Sequence, residues 1–120
     1  LAQFDAIKKL ASEGPCVMVG RCADYALSEY KDCFSVFVHA DTDWRINRLS
    51  QKHNKTAKEA KDMINKTDKS RSSYYNYYTN KKWGAASSYN LCVDSSKLGI
   101  DGAAKAIIQA IEIFDSIKNK

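Results

Sequence analysis

The sequence has few of the residues that build metal centres, disulfide frameworks or membrane spans. Its 4 cysteines (Cys16, Cys22, Cys33 and Cys92) include no Cys-x-x-Cys pair, and there are only 2 histidines. This spacing predicts no zinc site and no disulfide-stapled fold, so we expect reduced thiols in an intracellular protein. No apolar run approaches the roughly 20 residues that cross a bilayer, and the amino terminus lacks the apolar segment of a signal peptide. These absences predict a cytoplasmic protein with no membrane partner.

The size and charge of the chain limit its class and its partners. With 120 residues, 44% of them hydrophobic, residues 1–120 are expected to form a single domain. Lysine and arginine outnumber aspartate and glutamate by 19 to 14, which gives a net charge of +5 and favours anionic partners such as nucleotides or nucleic acid. The first residue is not Met, and residues 4–11 already have helical spacing, so we expect sequence upstream of Leu1.

Apolar runs and helical patterns alternate along the chain. Residues 16–19 and 34–38 are short runs rich in Val and Phe, typical of strands buried on both faces of a parallel sheet, and residues 91–93 form a weaker third run. Helical patterns follow these runs at residues 23–30, at 42–53, from 56 into a tyrosine-rich stretch, and at 101–118, where Asp101 is the predicted amino-terminal cap. This order predicts an α/β domain with a parallel sheet, flanking helices and right-handed crossovers.

Two polar turns follow predicted strands, where α/β sheets bind their ligands. After the first strand, Gly20 permits a tight turn, Arg21 can present its planar guanidinium to a phosphate, and Asp24 could accept from a base or a ribose. Pairing of Arg21 with an acidic neighbour is an equally good interpretation. After the second strand, Arg45 and Arg48 share a helix face, and a surface ion pair is the default role of each.

The segment 56–83 combines a helical pattern with an unusual density of cations. Its narrow apolar stripe stops near Asp68, beyond which cations alternate with two tyrosine pairs. The basic and aromatic residues of this segment include Lys61, Lys66, Lys69, Arg71, Lys81, Lys82, Tyr74, Tyr75, Tyr77 and Tyr78. We expect a helical lid that leaves the core and closes over phosphates, with at least one tyrosine of each pair packed against the body.

Four segments, in this order, resemble the cytidylate kinase-like family of the P-loop nucleoside monophosphate kinases. They are residues 14–25 (GPCVMVGRCADY), 36–46 (VFVHA followed by WRI), 64–75 (INKTDKSRSSYY) and 89–100 (YNLCVDSSKLGI). The resemblance extends over residues 14–111. No single segment would be enough, but four in the right order make the match fairly specific.

The resemblance implies a phosphotransferase that moves the γ-phosphoryl group of ATP to CMP or a similar small acceptor. Arg21 would hold the phosphate of the acceptor, and Asp24 is the second predicted substrate-binding residue, which could accept from the base or the ribose of the acceptor. The lid would supply the catalytic cations, which are Lys66, Lys69 and Arg71. The donor nucleotide would be bound by residues that follow the second and third strands, namely Arg45, Arg48, Ser95 and Lys97. Mg²⁺ would arrive with ATP, because no protein ligand for it is identifiable in this chain.

Two departures from the family pattern affect this interpretation. Cys22 stands where cytidylate kinases carry an aspartate that helps to recognise cytosine, so either Asp24 substitutes for it or the acceptor differs. The loop Gly-x-x-x-x-Gly-Lys-Ser/Thr, which cradles the donor phosphates, does not occur in the sequence. We therefore expect the carboxyl-terminal part of a three-layer, P-loop kinase-like domain whose central strand and phosphate loop are missing from this chain. Alone, such a chain would be inactive, with a rearranged sheet or a homodimer supplying the missing strand pairing.

Two other functions remain open at this point. A kinase relative that binds nucleotides without catalysis would share the same residues. A basic nucleic-acid-binding module would account for the charge and the aromatic residues. Adjacent tyrosines point in different directions on a helix and do not build one stacking platform, so nucleic acid is the less favoured partner.

Overall fold

Helices surround a two-stranded parallel sheet in the computed structural model, which describes residues 2–118. In chain order the elements are α1 (Ala2–Ser12), α2 (Ala23–Ala26), β1 (Val36–His39), α3 (Thr42–His53), α4 (Ala57–Thr79), a 3₁₀ turn (Ala86–Ser88), β2 (Leu91–Asp94) and α5 (Ser95–Lys118). None of the helices in this part of the chain has the length and apolar character needed to cross a membrane. The predicted mixture of strands and helices is confirmed.

The two strands run parallel, with Val36 opposite Leu91 and His39 opposite Asp94. Helices α3 and α4 form the connection between the strands, as expected for a crossover in an α/β domain. At the start of β1 the backbone N–H of Ser35 donates to the Asn90 side-chain oxygen, 2.8 Å away, which fixes the register. Because parallel strands end at the same edge of a sheet, the loops after β1 and β2 lie side by side.

The strand predicted at residues 16–19 does not form. These residues are not assigned to any strand, and the side chains of Val17 and Val19 are 93% and 90% exposed. A strand needs a neighbour to satisfy its backbone N–H and C=O groups, and β1 pairs only with β2 among the described residues. The prediction of a three-layer parallel sheet is therefore not met within residues 2–118, which contain one two-stranded sheet with helices around it.

The buried side chains form small clusters between elements. Ile7 of α1 packs with Ala23, Ala26 and Leu27 around α2. A second set, Ala60 and Ile64, lies on α4, which packs against α3, and a third, Val93 and Ala103, lies on β2 and α5. All four cysteines are free thiols, of which Cys22 is buried.

Helix ends agree with the sequence patterns at some places and not at others. Helix α4 begins with a capping box, in which the Thr56 hydroxyl oxygen accepts from the Glu59 N–H and the Glu59 carboxylate accepts from the Thr56 N–H. Helix α2 ends at Ala26, four residues before the predicted end. Helix α5 begins directly after β2 and is interrupted at Gly99, so Asp101 lies inside the element and its predicted role as the cap is wrong.

Candidate functional site

The turn before α2 holds Arg21 in an exposed position. Three consecutive residues, Gly20, Arg21 and Cys22, have positive φ angles of 70°, 60° and 55°. Left-handed backbone is costly for residues with a Cβ, so the surrounding structure must hold the turn in place. The buried Cys22 side chain, 5% exposed, provides such an anchor. Arg21 makes no ion pair within residues 2–118, so pairing with an acidic neighbour is not observed there.

A hydrogen-bonded pair of side chains joins this turn to α4. The Tyr75 hydroxyl donates to Asp24 Oδ2 at 2.7 Å, and Tyr75 is only 5% exposed. Burial, followed by the hydrogen bond to Asp24, raises the pKa of Tyr75 well above its ordinary value. The Tyr75 ring stacks on Tyr89, whose hydroxyl oxygen accepts from the Gly84 N–H at 3.1 Å. Asp24 is thus held by an aromatic network, and its other carboxylate oxygen, Oδ1, accepts no hydrogen bond within residues 2–118.

A polar cleft of about 220 Å³ lies beside this network. Its lining includes Asp24, Lys81, Ser88, Tyr89 and Asn90. One carboxylate, one ammonium group and several hydroxyl and amide groups suit a small polar ligand that offers both donors and acceptors. In the part of the chain that the structure covers, no three side chains of the metal-binding types are grouped together.

The cations of α4 face solvent. Lys66, Lys69 and Arg71 are exposed, and none has an ion pair or a side-chain hydrogen bond among the described residues. Arg71 precedes Tyr75 by four residues, or about one helical turn, so the Asp24–Tyr75 bond brings the Arg21 turn alongside the same helix. The Arg21 turn therefore lies near the part of α4 that carries Arg71, whereas Lys69 and Lys66 lie six and nine residues before Tyr75 on the same helix.

The tyrosine half of α4 stays in contact with the body. Tyr75 and Thr79 are buried, Tyr78 is half-buried with its ring 6.3 Å from that of Phe4, and Tyr77 is 79% exposed. The expectation that at least one tyrosine of each pair packs against the body is confirmed. The expectation that the helix leaves the core after Asp68 is wrong, because tyrosine rings with bonded hydroxyls replace the aliphatic stripe. A lid role for residues 56–83 stays a prediction.

Arg45 forms a two-pronged ion pair with Asp68. Its Nη1 and Nη2 atoms donate to Asp68 Oδ2 and Oδ1 at 2.8 and 2.7 Å, joining α3 to α4. The hydrogen bond to Asp68 raises the pKa of the Arg45 guanidinium. The predicted ion pair is confirmed for Arg45. Arg48, one turn further on, instead places its guanidinium carbon 5.8 Å from the centre of the Trp44 ring.

Ser95 and Lys97 lie directly after β2 and differ in accessibility. Ser95 is 4% exposed, and its hydroxyl donates to the His39 carbonyl oxygen at 3.1 Å. It therefore links the two strand ends. Lys97 has an exposed side chain, while its backbone N–H donates to Asp94, whose pKa is lowered chiefly by the hydrogen bond from Ser96. Of these two predicted nucleotide-binding residues, only Lys97 has a side chain without a hydrogen bond or ion pair among the described residues.

Sequence reasoning missed the partners that engage the charged residues. The sequence pattern marks Asp68 only as the point where the apolar stripe of the helix stops, and it does not connect Tyr75 or Tyr89 with Asp24. The one available signal is the rarity of acids in this basic stretch, since two carboxylates among the six cations of residues 61–83 are expected to pair with some of them. Which cation it pairs with depends on the packing of α3 against α4.

Comparison with known proteins identifies the family. The model of the cytidylate kinase-like family matches residues 1–97. The crystal structure of an uncharacterized protein from Eubacterium ventriosum ATCC 27560 is similar, with a TM-score of 0.88 and 34% sequence identity. The match covers 91% of this chain and 62% of that chain. No curated protein matches the sequence. By the extent of the family match, the chain belongs to the cytidylate kinase-like family.

Proposed function

We propose that the natural full-length protein is an ATP-dependent phosphotransferase that acts on CMP or a similar small phosphate acceptor. The observation that carries this proposal is the match of the cytidylate kinase-like family model to residues 1–97, a range that includes four exposed cations. Arg21, Lys66, Lys69 and Arg71 make no ion pair within residues 2–118, although the chain offers 14 acidic side chains. Cations kept free of carboxylates are available to phosphate oxygens.

The proposed roles follow from what phosphoryl transfer requires. The transition state spreads charge over the equatorial phosphoryl oxygens, so catalysis depends on positioned cations more than on a side-chain base. Arg21 anchors the acceptor phosphate, and Asp24 accepts from the acceptor in the adjoining cleft. Lys66, Lys69 and Arg71 neutralise the transferring group. Arg48 and Lys97 contact the donor nucleotide, which brings its own Mg²⁺.

We further propose that the complete domain has additional parallel strands, one of them between residues 16–19 and β1. Three observations support this proposal. Val17 and Val19 are almost fully exposed, and Val38 of β1 is 53% exposed at the open edge of the sheet. Helix α5 leaves Ile108, Ile113 and Ile117 more than half exposed. The similar crystal structure has a longer chain, of which this one covers 62%.

The test is phosphoryl transfer by the full-length protein. ATP labelled at the γ-phosphate is supplied with a panel of nucleoside monophosphates, and transfer to at least one is expected. Arg21→Ala and Lys69→Ala should each lower kcat/KM by about tenfold or more, the range for loss of one contact to a charged group. Lys105→Ala is the matched control, because Lys105 is an exposed lysine of α5 remote in sequence from these cations.

Full activity in both variants, with unchanged thermal unfolding, would contradict the assigned roles. Absence of transfer to any acceptor, with ATP still bound, would favour a nucleotide-binding relative without catalysis. One observation supports that second candidate, namely that Arg45 is already occupied by Asp68. A nucleic-acid-binding module is the least supported, because Tyr75 and Tyr78 pack internally and only Tyr77 is largely exposed among them.

A further inference from the structure

We propose that the Asp68 carboxylate occupies the Arg45 guanidinium in the place of phosphate, and that the phosphate chain of the donor nucleotide displaces it. We call this displaceable ion pair the catch. This inference rests on the proposed function and assigns Asp68 a role in setting nucleotide affinity. In the closed catch, both guanidinium prongs of Arg45 are bound to the two carboxylate oxygens of Asp68. Arg45 binds a donor phosphate only after Asp68 releases it.

The geometry of the pair suits such an exchange. The guanidinium fork matches carboxylate and phosphate equally well, because both present two oxygens at similar spacing. The Arg45 and Asp68 side chains are 32% and 27% exposed, so a ligand can reach them from solvent. Opening an ion pair that is sealed in the core would leave a buried charge without a partner. Opening the partly exposed Arg45–Asp68 pair leaves both groups in contact with solvent.

Two further arginines lie one helical turn from the Arg45–Asp68 pair. Arg48 lies one turn from Arg45 on α3, and Arg71 lies one turn from Asp68 on α4, each on the same face as its neighbour. Both are exposed, and neither forms an ion pair in the part of the chain that the structure describes. Asp68 thus offers one negative charge where three arginines lie at the pair or one helical turn from it, and a polyphosphate offers more.

The exchange has two consequences for the protein. Displacement of Asp68 subtracts the strength of the Arg45–Asp68 pair from the apparent affinity for nucleotide, so the catch keeps that affinity low. It also removes a contact between α3 and α4, which lets the cationic middle of α4 adjust to the bound phosphates. Nucleotide binding is then coupled to the loosening of the contact between α3 and α4 through the Asp68 carboxylate.

Two readouts test the catch in the full-length protein. Calorimetric titration with inorganic tripolyphosphate, and separately with ATP, measures Kd for wild type and Asp68→Asn at low salt, where charge effects are largest. The variant should bind about fivefold more tightly, the factor that corresponds to an exposed ion pair of about 1 kcal/mol. Its thermal unfolding midpoint should fall by about 2–4 °C, because α3 and α4 lose their link.

Asp62→Asn is the matched control. Asp62 lies on the exposed side of the same helix, and this variant removes the same charge without freeing Arg45. Tighter binding with lower stability in Asp68→Asn, beyond the change in Asp62→Asn, supports the catch. Equal or weaker binding than the control, with ATP still bound by wild type, overturns the catch and leaves the proposed function standing. Absence of tripolyphosphate and ATP binding in every variant overturns both.

Discussion

The Tyr75 hydroxyl donates a 2.7 Å hydrogen bond to the Asp24 carboxylate, joining residues 51 positions apart. This contact connects the turn that carries Arg21 with the cationic helix α4. Because Tyr75 is only 5% exposed, water cannot readily replace its hydroxyl as the donor to Asp24. The bond is therefore one of the contacts that set the position of the turn relative to the helix, together with the Phe4 ring, whose centre lies 6.0 Å from that of Tyr25 and 6.3 Å from that of Tyr78.

Tyr75→Phe removes the hydroxyl and leaves the Asp24 carboxylate without its protein donor. Loss of a hydrogen bond to a charged group should lower the free energy of unfolding by about 1–3 kcal/mol. Urea denaturation followed by circular dichroism measures this change. Tyr77→Phe makes the same chemical change on a ring that is 79% exposed, and should have an effect within about 0.5 kcal/mol. Equal effects of the two variants would contradict the structural role of the bond.

Stability should fall at alkaline pH because of the same tyrosine. Burial and the bond to Asp24 raise the pKa of Tyr75 in the folded protein above that of an unfolded tyrosine. The folded state therefore holds this proton more tightly, and the resulting stability is complete below the unfolded pKa of about 10 and is lost as pH rises above it. In a pH titration followed by tyrosinate absorbance, a fraction of the tyrosines should ionise only when the protein unfolds at alkaline pH. This fraction should be smaller in Tyr75→Phe. Titration of every tyrosine near its ordinary pKa would refute the burial argument.

Gly99→Ala should destabilise the protein although there is room for the added methyl group. Gly99 has φ 74° and ψ 168°, a region that residues with a Cβ almost never occupy, and no atom lies within 4 Å of the position that the alanine methyl carbon would take. The free energy of unfolding should fall by about 1–3 kcal/mol, because alanine at this position strains the backbone. Ser116→Ala on the exposed side of α5 serves as the control. An unchanged urea midpoint in Gly99→Ala would mean that the break in α5 relaxes without cost.

Val93→Ala and Val17→Ala distinguish the strand that forms from the one that does not. Val93 is 4% exposed in β2, and its truncation should cost about 1–3 kcal/mol. Val17 is 93% exposed, so in this chain its truncation should change stability by no more than about 0.5 kcal/mol. In the full-length protein, the proposed neighbouring strand would bury Val17, and the same change should become clearly destabilising. A neutral Val17→Ala in both proteins would contradict the proposed strand.

Local patterns were sufficient for elements that depend on nearby residues. The helix at residues 42–53 was predicted with its observed ends, because a polar start and regular apolar spacing specify a helix locally. The weaker run at residues 91–93, a short apolar run between polar residues, forms β2 (Leu91–Asp94) in the structure. Residues 16–19 have the same local character and form no strand, because strand formation requires a partner that lies elsewhere in the chain.

For the candidate site too, some features followed from the sequence and others only from the structure. Sequence patterns selected Arg21, Asp24 and the cations of α4, and the structure brings the Arg21 turn and that helix together. They did not reveal that Arg45 is bound to Asp68 or that the Ser95 hydroxyl is bound to His39. Availability of a side chain depends on which neighbour reaches it, and the neighbours here are 23 and 56 positions away.

By itself, the sequence determined the family, the helical segments and the supply of cations, because these follow from the order of residues along the chain. Only the tertiary structure decided which cations are free and which are paired. A hydrogen bond or ion pair forms when folding brings two groups within about 3 Å, and residues far apart in the chain meet there only through the packing of whole elements. The pairing of Arg45 with Asp68 and of Tyr75 with Asp24 is therefore a property of the fold.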